Sequence, residues 1–233
     1  MRLPNHFGLQ KTSLVDYPGK VASVIFFPGC NLRCPYCHNP DLVYGRTAGL
    51  ESRSDVLEYL RLRAPLLGGV VISGGEPLLY SDLPLFIEKI RQIPGLSVKV
   101  DTNGLLPDRL KDLDADYIAM DIKALPGKYD LLGAPAGSED RINESVELLK
   151  GRASYSEFRT TLEEGLIPRE DIPALAGLLR GCENYFLTGF RPGTCLDPAY
   201  NEKPALPVPI LREYRELFLK EGIPCKIRSS IQD

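Results

Sequence analysis

Six times along this chain an apolar run rich in β-branched residues is followed by a stretch with helical periodicity. That alternation constrains the fold more than any other feature. The runs are VASVIFF (21–27), GVVIS (69–73), LSVKVD (96–101), DYIAMDIK (116–123), YSEFRTTL (155–162) and ENYFLTGF (183–190). Between them lie SDVLEYLRLR (54–63), with Ser54 as a plausible N-cap, and SDLPLFIEKIRQ (81–92), again opening on a serine. A short helix is expected near PDRLKDL, and SEDRINESVELLK (138–150) puts Ile142, Val146 and Leu149 on one face. REDIPALAGLLR (169–180) follows, then a last helix at about 208–221 with Ile210, Leu211, Tyr214, Leu217 and Phe218 on one side; a short strand is expected in PCKIRSS (224–230). The pattern predicts an α/β fold, a parallel sheet with helices outside it. Six units are too few for an eight-unit barrel and suit an incomplete (β/α)6 barrel of TIM-like curvature. A doubly wound open sheet is the competing architecture, because periodicity does not separate the two.

No internal repeat, low-complexity tract or linker is visible, so one domain is expected over 1–233. Residues 1–20 form an N-terminal strap, 21–190 the core, and 191–233 a proline-rich crossing and C-terminal helix. A net charge of −3 gives no basic footprint, so neither nucleic acid nor an anionic membrane is an expected partner. The N-terminus has no apolar signal core and no run is long enough to span a bilayer, so the expected location is cytoplasmic. There, clustered cysteines are metal ligands or redox groups rather than disulfides.

In parallel α/β folds chemistry collects at the carboxyl ends of the strands. After the first run comes PGCNLRCPYCHNP, after the second SGGEPLL, after the third DTNG. The fourth ends in MDIK, the fifth contains Arg159, and Arg191 follows the sixth. Three of the six cysteines, Cys30, Cys34 and Cys37, are spaced C-x3-C-x2-C. Thiolates are soft ligands that select zinc, copper(I) or iron–sulfur clusters. Three of them can hold three irons of a cubane and leave the fourth iron open. The rival is a Cys3His zinc site completed by His38, although adjacent Cys37 and His38 make a tight chelate. Gly74 and Gly75 permit close backbone approach, and Glu76 can pair with an ammonium group; a tight strand-to-helix turn is the bland reading. Asp101 and Asp121 end neighbouring strands and could share a cation, with Lys123 on the same face as Asp121. The alternative there is an ordinary Asp–Lys pair. Cys182, Cys195 and Cys225 are widely spaced and are expected to be buried or incidental thiols rather than a second cluster.

Together these residues resemble the radical S-adenosylmethionine superfamily. Cys30, Cys34 and Cys37 match its C-x3-C-x-Φ-C motif with Tyr36 in the aromatic place, and Gly74-Gly75-Glu76-Pro77 matches its GGEP motif. VDYPG (15–19), FFPGCNLRCPYCHNP (26–40), DTNG and MDIK further resemble the activating enzymes of glycyl radical enzymes. The similarity is greatest to the activators of anaerobic ribonucleoside-triphosphate reductase, through TSLVDYPGK and YFLTGFRPG, and more distant to the pyruvate formate-lyase activators.

The resemblance implies a [4Fe–4S] cluster on the three thiolates, its open iron chelating the methionyl amino and carboxylate groups of S-adenosylmethionine. The Gly74–Glu76 segment would meet the amino group, Lys123 the carboxylate, and Tyr36 would lie near the adenine. Asp101, Thr102, Met120 and Asp121 match a monovalent-cation site of the pyruvate formate-lyase activator. That activator's late histidine has no counterpart, since His6 and His38 are the only histidines here, and Arg159 or Arg191 would take over part of its charge role. One electron, from a flavodoxin or ferredoxin, would cleave the sulfonium; the resulting radical would take a hydrogen from a glycine of a partner enzyme. Two readings compete: a radical S-adenosylmethionine enzyme acting on a small molecule or peptide, and a zinc or iron–sulfur module without catalysis.

Overall fold

The chain opens with a strand that its hydrophobic pattern does not announce. In β1 (His6–Ser13) only Phe7 and Ser13 are buried, so no alternation marks it. The computed structural model, which describes residues 1–46, 49–152 and 155–228, pairs β1 antiparallel with β2 (Ala22–Phe27). The sheet is therefore mixed where the sequence pattern predicts a parallel one. After β2 come a one-turn helix α1 (Pro40–Val43) and the two-residue β3 (Glu51–Ser52), which pairs with the start of β1.

Contacts divide the described residues into two units, each assembled from three stretches of chain. The first holds 1–31, 39–102 and 112–118; the second holds 32–38, 103–111 and 119–233. In the first unit β2, β4 (Gly69–Gly74) and β5 (Ser97–Thr102) run parallel, with Ala22 opposite Gly69, Phe27 opposite Gly74, and Gly69 opposite Ser97. This register brings the carboxyl ends of three strands to one level. Helix α2 (Arg53–Arg63) buries Val56, Leu57 and Leu60, and α3 (Leu83–Arg91) buries Leu83, Phe86, Ile87 and Ile90. Phe27 makes edge-on contacts with Tyr80 and Phe86, at 5.5 and 5.9 Å between centroids, so the core reaches the strand's end.

The expected caps shift. α2 starts one residue early, and its N-cap is Ser52 rather than Ser54: the Ser52 hydroxyl accepts the Asp55 amide at 3.2 Å. Ser81 does not cap α3 either. Its hydroxyl donates to the Met1 carbonyl while the neighbouring Asp82 accepts the Leu3 amide at 2.7 Å, so both residues tether the N-terminus.

In the second unit, α4 (Pro107–Lys111) precedes β6 (Tyr117–Asp121), whose first two residues belong to the first unit. Helix α5 (Ser138–Lys150) matches the expected boundaries and buries Ile142, Val146 and Leu149. β7 (Ser156–Leu162), β8 (Tyr185–Gly189) and β9 (Cys225–Ile227) run parallel. α6 (Ile172–Leu179) starts three residues later than expected because Arg169–Asp171 is a tighter 3-10 turn. α7 (Val208–Lys220) buries Leu211, Tyr214 and Phe218. No described helix is long and apolar enough to cross a membrane.

Candidate active site

In the first unit the site grows from the loop after β2. Gly29 turns the chain at φ 84°, and its amide and that of Cys30 donate to the Leu42 and Val43 carbonyls at 2.5 and 3.3 Å. The loop after β4 is laid against this one. The Gly75 amide donates to Phe27 O and the Glu76 amide to Gly29 O, both at 2.8 Å. A Cβ on Gly74 would come within 2.3 Å of Phe27 N, and one on Gly75 within 2.0 Å of Gly29 O. The two glycines are therefore required by backbone packing of the GGEP turn against the cysteine loop, before any ligand is considered. Glu76 is fully buried, and its Oε1 accepts the Leu78 amide at 2.9 Å and the Thr102 hydroxyl at 3.0 Å. It thus ties the end of β4 to the end of β5.

Asp101, one residue earlier on β5, accepts from Lys99 Nζ at 2.5 Å and from Ser73 Oγ at 3.1 Å. The Lys99 side chain has no solvent exposure. Residues 99 and 101 share a face of the strand, so a lysine placed in an otherwise apolar run was the legible signal of this buried pair.

The second unit holds Cys34, Tyr36 and Cys37. The Cys37 amide donates to Cys34 O at 3.0 Å, closing a turn. A neighbouring strap, residues 191–197, is sewn to it: Leu196 N donates to Cys37 O at 2.9 Å and Asp197 N to Pro35 O at 3.0 Å. His38 Nε2 lies 2.9 Å from the Arg191 carbonyl. A carbonyl only accepts, so that nitrogen carries the proton and spends it on the strap. Arg191 thus enters through its backbone. Cys195, expected to be incidental, has its amide fixed by Asn201 Oδ1 at 2.7 Å. Burial first, and then proximity to Cys37, raise its thiol pKa.

Asp121, at the end of β6, accepts from Arg159 Nε at 2.8 Å and Lys123 Nζ at 3.3 Å. Burial alone would raise its pKa, but Arg159 and then Lys123 outweigh it and hold the carboxyl well below the usual range. Burial likewise opposes the Lys123 charge, yet Asp121 keeps that ammonium protonated well above its ordinary range. The Lys123 amide donates to Tyr129 Oη at 3.1 Å. Tyr36 Oη is buried with no hydrogen-bond partner among the described residues, and burial pushes its pKa upward while Lys123 works against that shift. Met120 is buried, and its thioether lies where a Cβ on Gly104 would collide with it.

The donor set fits an iron–sulfur cluster. All six cysteines are thiols, and Cys30, Cys34 and Cys37 sit on one loop whose backbone is hydrogen-bonded within each unit. A cubane asks one thiolate of each iron, whereas a single-ion site asks several ligands to converge on one point. The orphaned Tyr36 hydroxyl and the charged Lys123 are polar groups suited to a bound organic ligand.

Comparison with known proteins agrees. Residues 24–174 match the family model described as Radical SAM superfamily. The chain is 33% identical over 220 residues to a protein of Methanocaldococcus jannaschii named as a glycyl-radical enzyme activating enzyme, covering 90% of this chain and 88% of that one. It is 35% identical over 122 residues to the pyruvate formate-lyase-activating enzyme of Clostridium pasteurianum, about half of each chain (49% and 50%). A radical SAM methyltransferase from Sphaerobacter thermophilus superposes with a TM-score of 0.68 at 19% identity, over 91% of this chain and 67% of that one. That last likeness carries the fold alone, an α/β fold whose strands are mostly parallel.

Proposed function

The chain belongs to the Radical SAM superfamily, and from that membership we propose that it is a glycyl-radical-enzyme activating enzyme whose partner is anaerobic ribonucleoside-triphosphate reductase. The observation that carries the activase reading is the 33% identity to the M. jannaschii protein, which extends over nearly the whole of both chains. The choice of partner rests on the TSLVDYPGK opening and the YFLTGFRPG segment.

Cys30, Cys34 and Cys37 would hold three irons of a [4Fe–4S] cluster. The fourth iron, without a protein ligand, would take the amino and carboxylate groups of S-adenosylmethionine. When bound, the pair supplies one-electron cleavage of a sulfonium C–S bond and a carbon radical strong enough to take hydrogen from a glycine Cα. The protein's part is placement. The glycine pair keeps Glu76 at a fixed height beside the Cys30 loop, where its turn would meet the amino group. Lys123, held charged by Asp121, offers its ammonium to the carboxylate. Tyr36 would border the adenine, its buried hydroxyl lacking a hydrogen-bond partner among the described residues. Arg159 orients Asp121. A flavodoxin or ferredoxin would deliver the electron.

The test is electron paramagnetic resonance of the anaerobically reconstituted protein mixed with reductase, S-adenosylmethionine and a strong reductant. A persistent doublet from a glycyl radical on the reductase is expected. If 5′-deoxyadenosine forms but no glycyl signal develops on the reductase or any other glycyl radical enzyme, the activase reading is wrong. If no 5′-deoxyadenosine forms, the enzyme reading itself falls.

A further inference from the structure

Four residues were expected to bind a monovalent cation: Asp101, Thr102, Met120 and Asp121. Each already has a partner within its own unit. Asp101 meets the buried Lys99 ammonium at 2.5 Å and the Ser73 hydroxyl at 3.1 Å. Thr102 spends its hydroxyl proton on Glu76. The Met120 side chain fills the space over Gly104. Asp121 meets two cations, the Arg159 guanidinium on one oxygen and the Lys123 ammonium on the other.

An alkali ion at such a place has two tasks, neutralising carboxylates and fixing their orientation. A carboxylate paired with a guanidinium or a buried ammonium has both done. A further cation at Asp121 would meet Arg159 and Lys123 as like charges at short range, which disfavours its entry. Arg159 is also better suited than a mobile ion to hold direction, since its planar fork is fixed on β7.

We infer that Arg159 stands at Asp121 for the alkali ion, so that S-adenosylmethionine binds here without one. The inference rests on the reading that Asp121 and Lys123 border bound S-adenosylmethionine.

The test uses the full chain with its cluster reconstituted. S-adenosylmethionine is titrated calorimetrically in tetramethylammonium, sodium and potassium chloride at equal ionic strength, and the 23Na line width is followed in parallel. The dissociation constant should agree within about twofold across the three salts, without 23Na broadening that saturates. Tightening of about tenfold or more in sodium or potassium would overturn the inference and leave the functional reading intact. Binding in none of the salts would overturn both. Arg159→Ala, checked by iron content and circular dichroism, should bind about tenfold or more weakly in tetramethylammonium and recover in potassium or sodium. Arg159→Lys should remain indifferent to the salt. A loss in Arg159→Ala that no alkali ion repairs would remove Arg159 from the role.

Discussion

At the scale of single residues, backbone contact and charge decide more than motif membership does. The GGEP glycines can be read as space for a ligand, and the structure shows them pressed against the Phe27–Cys30 backbone. Gly75→Ala should destabilise the protein by about 1–3 kcal/mol, because neither backbone can yield without moving a sheet strand. Thermal melting would show the loss, and iron content would fall with it; an unchanged melting point would show that the loops are not locked together. Asp121 carries a pH signature. Its folded pKa lies below the unfolded value near 4, so the stability it contributes is present above about pH 4 and is lost as pH falls below that. Asp121→Asn should therefore lie below the native protein in melting temperature at pH 6, and the gap should close on acidification towards pH 2. A gap that stays constant would mean Asp121 does not titrate with the fold. Lys123 has the opposite sign: its contribution is present below its unfolded pKa and would be lost only at strongly alkaline pH.

At the scale of elements, caps and clamps set boundaries that periodicity leaves open. Ser52 and Ser54 both precede the α2 pattern, but only the Ser52 hydroxyl reaches a free helix amide. Ser52→Ala should cost about 1 kcal/mol and Ser54→Ala a few tenths. Chemical denaturation of the two variants checks this, and equal costs would remove Ser52 from the cap. Strand β9 is only three residues long and is held by a fork. Arg228 Nη1 and Nη2 bind the two oxygens of fully buried Glu157 at 2.8 Å each, and the guanidinium lies 4.0 Å from the Phe186 ring centroid. Arg228→Ala removes both guanidinium hydrogen bonds from that buried carboxylate, at an expected cost of about 3 kcal/mol. Amide exchange at 225–227 should quicken more than elsewhere; a uniform change would make the clamp irrelevant to β9. The parallel strands were legible as unbroken apolar runs buried on both faces, and the α5 boundaries because burial on one face repeats with the helical period. β1 was not, because its buried positions, Phe7 and Ser13, are too few to make a pattern.

At the scale of the whole molecule, five of the six cysteines fall into two kinds. Cys30, Cys34 and Cys37 lie on the loop after β2. Cys182 and Cys225 are buried in the second unit, where desolvation pushes their thiols up to about 11 and about 12, so they are inert as thiolates at neutral pH. Cys34→Ala and Cys37→Ala should lose cluster iron and S-adenosylmethionine cleavage together. Cys182→Ala and Cys225→Ala should keep both, as iron analysis and the visible cluster absorption would show. Iron lost equally from all four variants would refute the ligand assignment. The sequence alone determined the α/β class, the strand ends that carry chemistry, and the thiolate motif, because each depends on the spacing of residues along one segment. Tertiary structure alone decided which charges meet across strands: Arg159 with Asp121, and Arg228 with Glu157. It also decided that the 191–197 strap binds the cysteine turn. Those pairings depend on sheet register and on chain segments up to 153 residues apart, as in the His38–Arg191 contact. Local periodicity carries no record of partners at that separation, because any of several buried cations could neutralise a given carboxylate until the strands are set side by side.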